Sequence, residues 1–429
     1  MMQTVKENNV VTSIVDNTPL PRMVRIRQML DHECIAPSEI PTLVKKELEP
    51  LRERISPNMR IAIPCGSRGI ANITSITRAI VDFVKDCGAF PFIFPAMGSH
   101  GGATAEGQRA VLSSYGVTEE AMGCPILSSM EVVEVGQTED GFPAYVDRNA
   151  YEADGILLCG RVKAHTAFHG DCESGVIKMS VIGLGKQKGA QALHRDGLSQ
   201  FPTLIPAVAK VIFEKVNIVG GLAVAENAFD QTFLLEGMRK EEIFAREPEI
   251  LRRAKSRMGH IFFDDIDVLV VDRIGKDISG LGMDPNVTGR YCVTYMKPEK
   301  RVQHIAVLDL TEESHGNCNG IGIADVTTTR LARKVNLDET YPNAVTSTVL
   351  SAVRMPLITH SDRTCIQVAL RTCNYYDREA PRIVRIRDTM NLEEIEISES
   401  MLEEAIHNDH VRVVSEPYEW AFNEQGDLW

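Results

Sequence analysis

The sequence lacks several patterns that mark particular protein classes. Its 10 cysteines are scattered without a C-x-x-C pair, and nothing around them suggests a small disulfide scaffold. No apolar run approaches the roughly 18 residues of a membrane-spanning helix. The stretch from Met1 to Pro21 has neither the apolar core nor the cleavage pattern of a signal peptide. We therefore expect a soluble, unprocessed, cytoplasmic protein with reduced thiols.

Positive charge is also scarce. The chain has 46 Lys and Arg residues against 59 Asp and Glu residues, a formal net charge of -13. Nucleic acids and anionic membranes both recruit basic faces, so neither is expected as a partner. An anionic small-molecule substrate would need a local basic pocket. At 429 residues the chain exceeds the size at which single cores stop growing, which predicts two domains.

Strands and helices alternate after a polar lead-in of about 57 residues that holds one predicted helix, from about Ile40 to Ile55. A short strand at Arg60 to Pro64 precedes a helix that Gly88 stops, and Phe90 to Phe94 forms the next strand. A glycine-rich turn and a further helix follow, so this stretch is a right-handed βαβ unit. Ligands of such sheets bind outside the carboxyl ends of the strands.

Strands and helices also alternate in the rest of the sequence, so an α/β fold is predicted for the whole chain. Gly155 to Cys159 is a continuous apolar run typical of a buried parallel strand. Ile266 to Asp272 begins a fresh strand, and a helix is predicted from Asp325 to Val335. We predict two Rossmann-like α/β domains, residues 1–263 and 264–400, with the active site in the cleft between them. The tail from about 401 to 429 is a candidate for returning to the first domain.

The window from Cys159 to His194 has the composition of a functional site. It contains three histidines, several glycines and two lysines that could react or bind phosphate, Lys178 and Lys186. A phosphate-binding P-loop is rejected, because Ser180 stands where the first glycine belongs and Gln187 where the Ser or Thr belongs. Without a P-loop, Lys186 and Lys188 are each predicted to be a solvated positive charge at the start of a helix.

A zinc hydrolase is a second reading of the histidines in this window. His165 and His169 at i, i+4 could bind zinc with His194 as the third ligand. That site needs a helix from Ala164 to His169, whereas Gly170 and the preceding strand favour a loop. The plainest alternative is that each histidine is only a satisfied polar group. This alternative accounts less well for several such residues at once, because Arg68, His100 and His165 follow three separate strands whose ends the fold should bring together.

Beyond these patterns, the chain resembles the nickel-pincer lactate racemase family, in its shorter homologue branch. That family carries an Arg after its first strand, a Gly-Thr-His turn after the second and a Pro-His-Phe turn. A Gly-rich segment ending in Lys follows, with a histidine sixteen residues beyond it. The matching positions here are Arg68, Gly98-Ser99-His100, Ala164-His165-Thr166, Ser174 to Lys178, and His194. The resemblance covers about Arg60 to Asn227 and extends only loosely into the second domain.

The resemblance implies a nickel-pincer nucleotide cofactor, pyridinium-3-thioamide-5-thiocarboxylic acid mononucleotide with nickel. It also implies an isomerase, a racemase or epimerase of a 2-hydroxy acid. Hydride would pass from the substrate to the cofactor and back through a 2-keto acid, and separate cofactor-synthesis proteins would load the enzyme. The implied roles are attachment for Lys178, with Ser174 and Gly175 beside it; metal ligand for His194; acid–base groups for His100 and His165; and substrate binding for Arg68 and Lys276.

The sequence departs from the family at several points. Cys65 stands where the family has Asp, Val176-Ile177 replaces Gly-Arg, and the segment before Lys178 is three residues longer. The family's Gln-x-x-Lys pair has no clear counterpart, which leaves Lys276 and Arg290 as candidates. These departures bear on the substrate more than on the cofactor. The alternatives are a ligand-binding or sensor homologue without catalysis, and a conventional metal-dependent hydrolase or lyase.

Overall fold

The computed structural model describes residue 6 and residues 9–66, 69–374 and 376–429. The chain divides into two compact units, one formed by His32–Met258 and the other by Met1–Asp31 with Gly259–Trp429. Across the described ranges, none of the helices is both long enough and apolar enough to span a lipid bilayer.

Strands and helices alternate through much of both units. The strands are β1 (Met23–Gln28), β2 (Arg60–Cys65), β3 (Phe90–Pro95), β4 (Val132–Gln137), β5 (Pro143–Asp147), β6 (Gly155–Arg161), β7 (Ile218–Glu226), β8 (Thr232–Arg239), β9 (Asp265–Ile274), β10 (Arg301–Leu310), β11 (Val326–Thr328), β12 (Leu357–Thr359), β13 (Ile383–Ile386), β14 (Glu394–Ser398) and β15 (Val411–Val413).

The α-helices are α1 (Val10–Val15), α2 (Ile40–Leu48), α3 (Ile73–Asp86), α4 (Ala105–Ser114), α5 (Glu119–Met122), α6 (Arg148–Tyr151), α7 (Val176–Lys178), α8 (Lys186–His194), α9 (Phe201–Lys215), α10 (Ile243–Ser256), α11 (Pro285–Thr288), α12 (Thr329–Lys334), α13 (Leu337–Ser347), α14 (Asp362–Thr372) and α15 (Leu402–Ile406). A π-helix spans Met179–Gly183. Short 3₁₀ helices occupy Glu49–Arg54, Gly101–Ala103, Leu198–Gln200, Glu312–Ser314, Ile321–Ile323, Leu350–Val353 and Glu399–Met401.

The unit His32–Met258 is built on a five-stranded sheet in the order β3-β2-β6-β7-β8. The first four strands are parallel, and β8 pairs antiparallel with β7. Strands β2 and β3 are buried along nearly their whole length, as expected for a parallel sheet covered on both faces. Strand β3 lies on one side of β2 in this sheet, and β6 lies on the other side. The strand order therefore reverses at β2, and ligand crevices form at such topological switch points.

The second unit contains an eight-stranded sheet in the order β12-β11-β10-β9-β13-β14-β1-β15. Strands β9 to β13 pair in parallel, whereas β14, β1 and β15 pair antiparallel. Helix α14 and the aromatic side chains Tyr418, Trp420 and Phe422 pack with the core of this unit. The mixed α/β class predicted from the sequence is the class the structure has.

The division of the chain differs from the predicted one at its ends. The lead-in contains β1, which pairs with β14 and β15, so residues 1–31 belong with the later part of the chain. The tail likewise joins this unit through β15 and the bridge between Met23 and Tyr418. The helix predicted from Asp325 starts with β11 instead, because the β-branched run Val326–Thr328 adds a strand to β10.

Candidate active site

Gly66, which directly follows β2, and Gly98, in the turn after β3, pack on the residues immediately after Lys178. A Cβ atom added to Gly66 would lie 3.3 Å from Met179 Cε. Gly98 has a left-handed φ of 59°, and a Cβ atom there would lie 3.5 Å from Ile182 Cγ2. The carboxyl ends of two neighbouring strands therefore meet the helical segment that carries Lys178.

This helical segment has an irregular geometry. Lys178 ends α7 and leads directly into the π-helix, in which the Leu184 N–H donates to the Met179 carbonyl oxygen at 3.0 Å. π-helical turns occur frequently at functional sites. Helix α8 then follows and ends at His194, so the predicted attachment residue and the predicted metal ligand lie near opposite ends of one helical stretch.

Two phenylalanine rings join three of the predicted site residues. The His165 ring stacks on Phe168 with centroids 4.2 Å apart, and Lys178 Nζ lies 5.7 Å from the centroid of the same ring. Phe168 contacts Phe201 edge to face at 5.4 Å, and the His194 ring lies 5.0 Å from Phe201. The structure thus brings His165, Lys178 and His194 together around an aromatic pair that is itself buried.

His194 is held in its neutral form. Burial, with a smaller contribution from the positive charge of Lys178, lowers the pKa of its imidazole from 6.5 to about 4. Its Nδ1 atom is buried and has no hydrogen-bond partner among the residues that the structure describes. Neutral imidazole is the form that binds metals, so this ring has the protonation state of a ligand.

His165 lies in a loop, as the sequence favoured. Residues Lys163 and Ser174 close the loop through two backbone hydrogen bonds of 3.1 and 3.2 Å. The Ala167 N–H donates to His165 Nδ1 at 3.1 Å. In the neutral ring this bond leaves the proton on Nε2, the nitrogen on the other side of the imidazole.

The loop closes around a buried carboxylate that the sequence analysis missed. Glu173 is 1% exposed and accepts from the His165 N–H at 2.6 Å and from the Gly170 N–H at 3.2 Å. Lys255, on α10, approaches the same carboxylate at 2.5 Å. Because Lys255 is distant in sequence, no local pattern revealed this pairing.

A second missed carboxylate lies beneath Lys178. Glu247 is 1% exposed and accepts from the N–H groups of Val176 and Ile177 at 2.6 and 3.0 Å. A Cβ atom on Gly175 would lie 2.5 Å from Glu247 Cδ, so a larger residue there would displace the Glu247 carboxylate. The predicted cofactor neighbour Gly175 therefore packs against Glu247, which satisfies the start of α7 in place of a capping side chain.

Glu247 should make stability depend on pH. Burial raises the pKa of its carboxyl from 4.5 to about 7, although the two backbone N–H groups oppose the shift. The native state then binds more protons than the unfolded state between these pKa values, so this contribution to stability falls as pH rises from about 4.5 to 7. We expect Glu247→Gln to remove that fall, which amounts to about 3 kcal/mol at most. Urea unfolding of parent and variant at several pH values measures it; parallel curves would contradict the assignment.

The other predicted residues lie in the turn after β3, in the His165 loop, in the other unit or outside the described chain. His100 is exposed at the end of the turn after β3, and His169 is half-buried in the His165 loop. Lys276 belongs to the other unit, where its ammonium donates to Gly280 O at 2.8 Å and Asn343 Oδ1 at 3.1 Å. Arg290, also in that unit, pairs with Asp325. Arg68 lies outside the described residues.

The interpretation of Lys186 as a solvated charge is wrong. Its side chain is 0% exposed and its Nζ lies 3.2 Å from Asp147 Oδ2, a carboxylate equally buried. Lys188, two residues on, is exposed as predicted. The sequence could not separate the two lysines, because the partners of Lys186 come from distant strands and helices.

Chemically, the described residues offer one histidine suited to binding a metal rather than a complete protein site. They contain no group of three or more His, Cys, Asp or Glu side chains placed to hold an ion. The zinc reading required a helix from Ala164 to His169, and these residues form a loop.

Three comparisons with known proteins bear on this site. Residues 55–232 match a family described as a domain of unknown function, DUF362. Among curated proteins, nothing matches the chain. One similar solved structure is the lactate racemase apoprotein from Thermoanaerobacterium thermosaccharolyticum, with 12% sequence identity and a TM-score of 0.48; the match covers 84% of this chain and 93% of that chain.

Proposed function

We propose that this chain is an isomerase that racemises or epimerises a 2-hydroxy acid with a nickel-pincer nucleotide. The observation that carries the proposal is the cluster of His165, Lys178 and His194 around Phe168 and Phe201. These three side chains are those that the resemblance assigned to acid–base chemistry, cofactor attachment and metal binding. The proposed partners are a small 2-hydroxy acid and the proteins that synthesise the cofactor.

The residues present fit such a cofactor. His194 supplies a neutral imidazole whose buried Nδ1 has no partner within the described ranges, which suits nickel with an imidazole ligand. Lys178 is half-buried and supplies an amine whose positive charge contributes to the lowered pKa of His194. With one protein ligand, the other donors must come from the organic part of the cofactor, whose chemistry is to accept and return hydride.

The proposed function gives each of the following side chains a role. His100 can accept the hydroxyl proton on one face and become imidazolium, and His165, as imidazolium, can donate a proton to the oxygen that becomes a hydroxyl on the other face. The buried rings of Phe168 and Phe201 exclude water from the reacting atoms. Glu173 holds the His165 loop in place through its backbone N–H groups.

The remaining assignments concern the substrate and the cofactor's surroundings. Arg68 is proposed to bind the substrate carboxylate through two parallel hydrogen bonds. Both backbone groups of Ser174 bond to Lys163, which leaves its hydroxyl as the part that could contact the cofactor. Lys276 is proposed as a further substrate contact. A metal-dependent hydrolase is disfavoured, because the described residues contain no group of three or more His, Cys, Asp or Glu side chains that could hold its metal ion.

Nickel retention tests the proposal. His194→Ala should lower the nickel retained by protein co-expressed with the cofactor-making enzymes by roughly tenfold or more, while most of the organic cofactor stays attached. His169→Ala, which removes a half-buried histidine of the same region, is the matched control. Elemental analysis and intact mass measure the two quantities. Equal nickel in His194→Ala and parent would reject the ligand assignment; parent without either component would favour a ligand-binding homologue.

A further inference from the structure

Lys186 has more buried partners than a lysine at a helix start requires. Its ammonium approaches the Pro95 carbonyl oxygen, lies 3.3 Å from Gln108 Oε1 and lies 3.2 Å from Asp147 Oδ2. Burial lowers the pKa of Lys186 and raises that of Asp147, while their mutual attraction opposes both shifts. A fully buried pair of this kind persists only when further hydrogen bonds satisfy it.

The backbone of Lys186 is also strained. Its φ of 54° is in the left-handed region, which a long side chain rarely adopts. Such strain is retained where the surrounding contacts over-determine the conformation, and it concentrates at functional sites. The Lys186 ammonium lies between the end of β3 and the start of α6, where Asp147 is the N-cap.

Gln108 connects this buried charge to the turn that carries His100. Its side-chain Nε2 donates to the carbonyl oxygens of Gly98 at 2.9 Å and His100 at 3.2 Å, while its Oε1 faces Lys186. Gln108 is 0% exposed. A Cβ atom on Gly101 would lie 2.6 Å from Gln108 N, so the turn also packs directly on the backbone of α4.

We propose that Asp147, Lys186 and Gln108 form a positioning network that holds the backbone of the His100 turn. Lys186 orients the Gln108 amide so that its donors face the turn, and Asp147 balances the charge of Lys186. The importance of the network for catalysis rests on the proposed function, whereas its effect on the turn does not.

The network also assigns the two nearby lysines different chemistry. The ammonium of Lys186 is enclosed by protein oxygen atoms, so it cannot serve as an attachment point for a cofactor without unfolding this region. Lys178 is half-buried beside Phe168.

Hydrogen exchange of the cofactor-free chain tests the proposal without any substrate. Gln108→Leu keeps the side-chain volume but removes the amide N–H donors. Gln108→Glu also removes these N–H donors but keeps an oxygen atom that faces Lys186. In both variants we expect backbone amides of the Gly98 to Thr104 turn to exchange about tenfold faster or more, with β6 unchanged. Gln191→Leu, at an exposed position of α8, is the matched control and should exchange like the parent.

A paired variant examines the charges. Lys186→Met with Asp147→Asn removes both charges together, so no lone buried ion remains, and Lys188→Met is its control. The proposal predicts faster exchange in the turn for the pair and parent-like exchange for Lys188→Met. If the turn exchanges at the parental rate in the Gln108 variants and in the pair, the network is not what holds His100. Loaded enzyme should further show a lower kcat with KM little changed in Gln108→Glu. If parent enzyme is inactive while the exchange result holds, only the proposed function fails.

Discussion

Replacing Lys178 with alanine should leave a folded protein that carries no covalent cofactor. The amine of Lys178 is the only part of its side chain that can form the proposed link, so its loss removes the added mass completely. The fold should persist, because the contact of the ammonium with the Phe168 ring, at 5.7 Å, contributes about 1 kcal/mol at a half-exposed site. Intact-mass measurement on co-expressed protein gives the result directly.

The same variant has a second readout that needs no cofactor. Because the charge of Lys178 lowers the pKa of His194, its removal should shift that pKa upward, toward but not reaching 6.5, since burial remains the larger cause. Histidine titration by NMR in Lys178→Ala and Lys178→Arg measures this effect, and arginine should preserve the lowered pKa. Lys188→Ala is the control at an exposed position of the same helical stretch. An adduct that persisted in Lys178→Ala would place the attachment on another residue.

The core of the unit His32–Met258 was predictable because its signals are local. Strands β2, β3 and β6 are continuous apolar runs, and α3 repeats its buried positions Ile76, Ile80 and Val84 at helical spacing. The place where strand ends meet follows from the parallel order of the sheet. The spacing of Lys178 and His194 matched the family resemblance, and the structure places both beside buried aromatic rings.

The missed features depend on partners far away in the sequence. Strand β1 alternates buried side chains with exposed arginines, and its pairing with β14 and β15 joins the two ends of the chain. In the sequence Glu173 and Glu247 resemble ordinary acidic residues. In the structure Glu173 pairs with Lys255 of α10, and Glu247 accepts hydrogen bonds from the N–H groups of α7. Periodicity reports which face of an element is buried, but it does not report which distant side chain it meets.

The electrostatic character of the site also had to come from the structure. The chain is acidic overall, yet the buried carboxylates of Glu173 and Glu247 accept hydrogen bonds from backbone N–H groups. These two carboxylates therefore act on the backbone of the His165 loop and of α7.

Removing either proposed acid–base histidine should abolish racemisation while one half reaction survives. If His100 and His165 act on opposite faces of the substrate, each serves one enantiomer as proton acceptor and the other as donor. General-base removal costs about 10²- to 10⁴-fold. With substrate deuterated at C2, we expect His100→Ala and His165→Ala each to fail at net inversion, yet one of them to reduce the cofactor from a single enantiomer.

The assignment of the two histidines to opposite faces predicts which half reaction survives. His165→Ala should retain oxidation of the enantiomer whose hydroxyl proton passes to His100, and should lose the proton transfer on its own face. His169→Ala is the internal control, since this histidine lies in the same loop. Losses below about tenfold in both His100→Ala and His165→Ala would identify them as structural histidines. If His169→Ala were inactive and His165→Ala active, the three additional residues before Lys178 would have shifted the catalytic position within the loop.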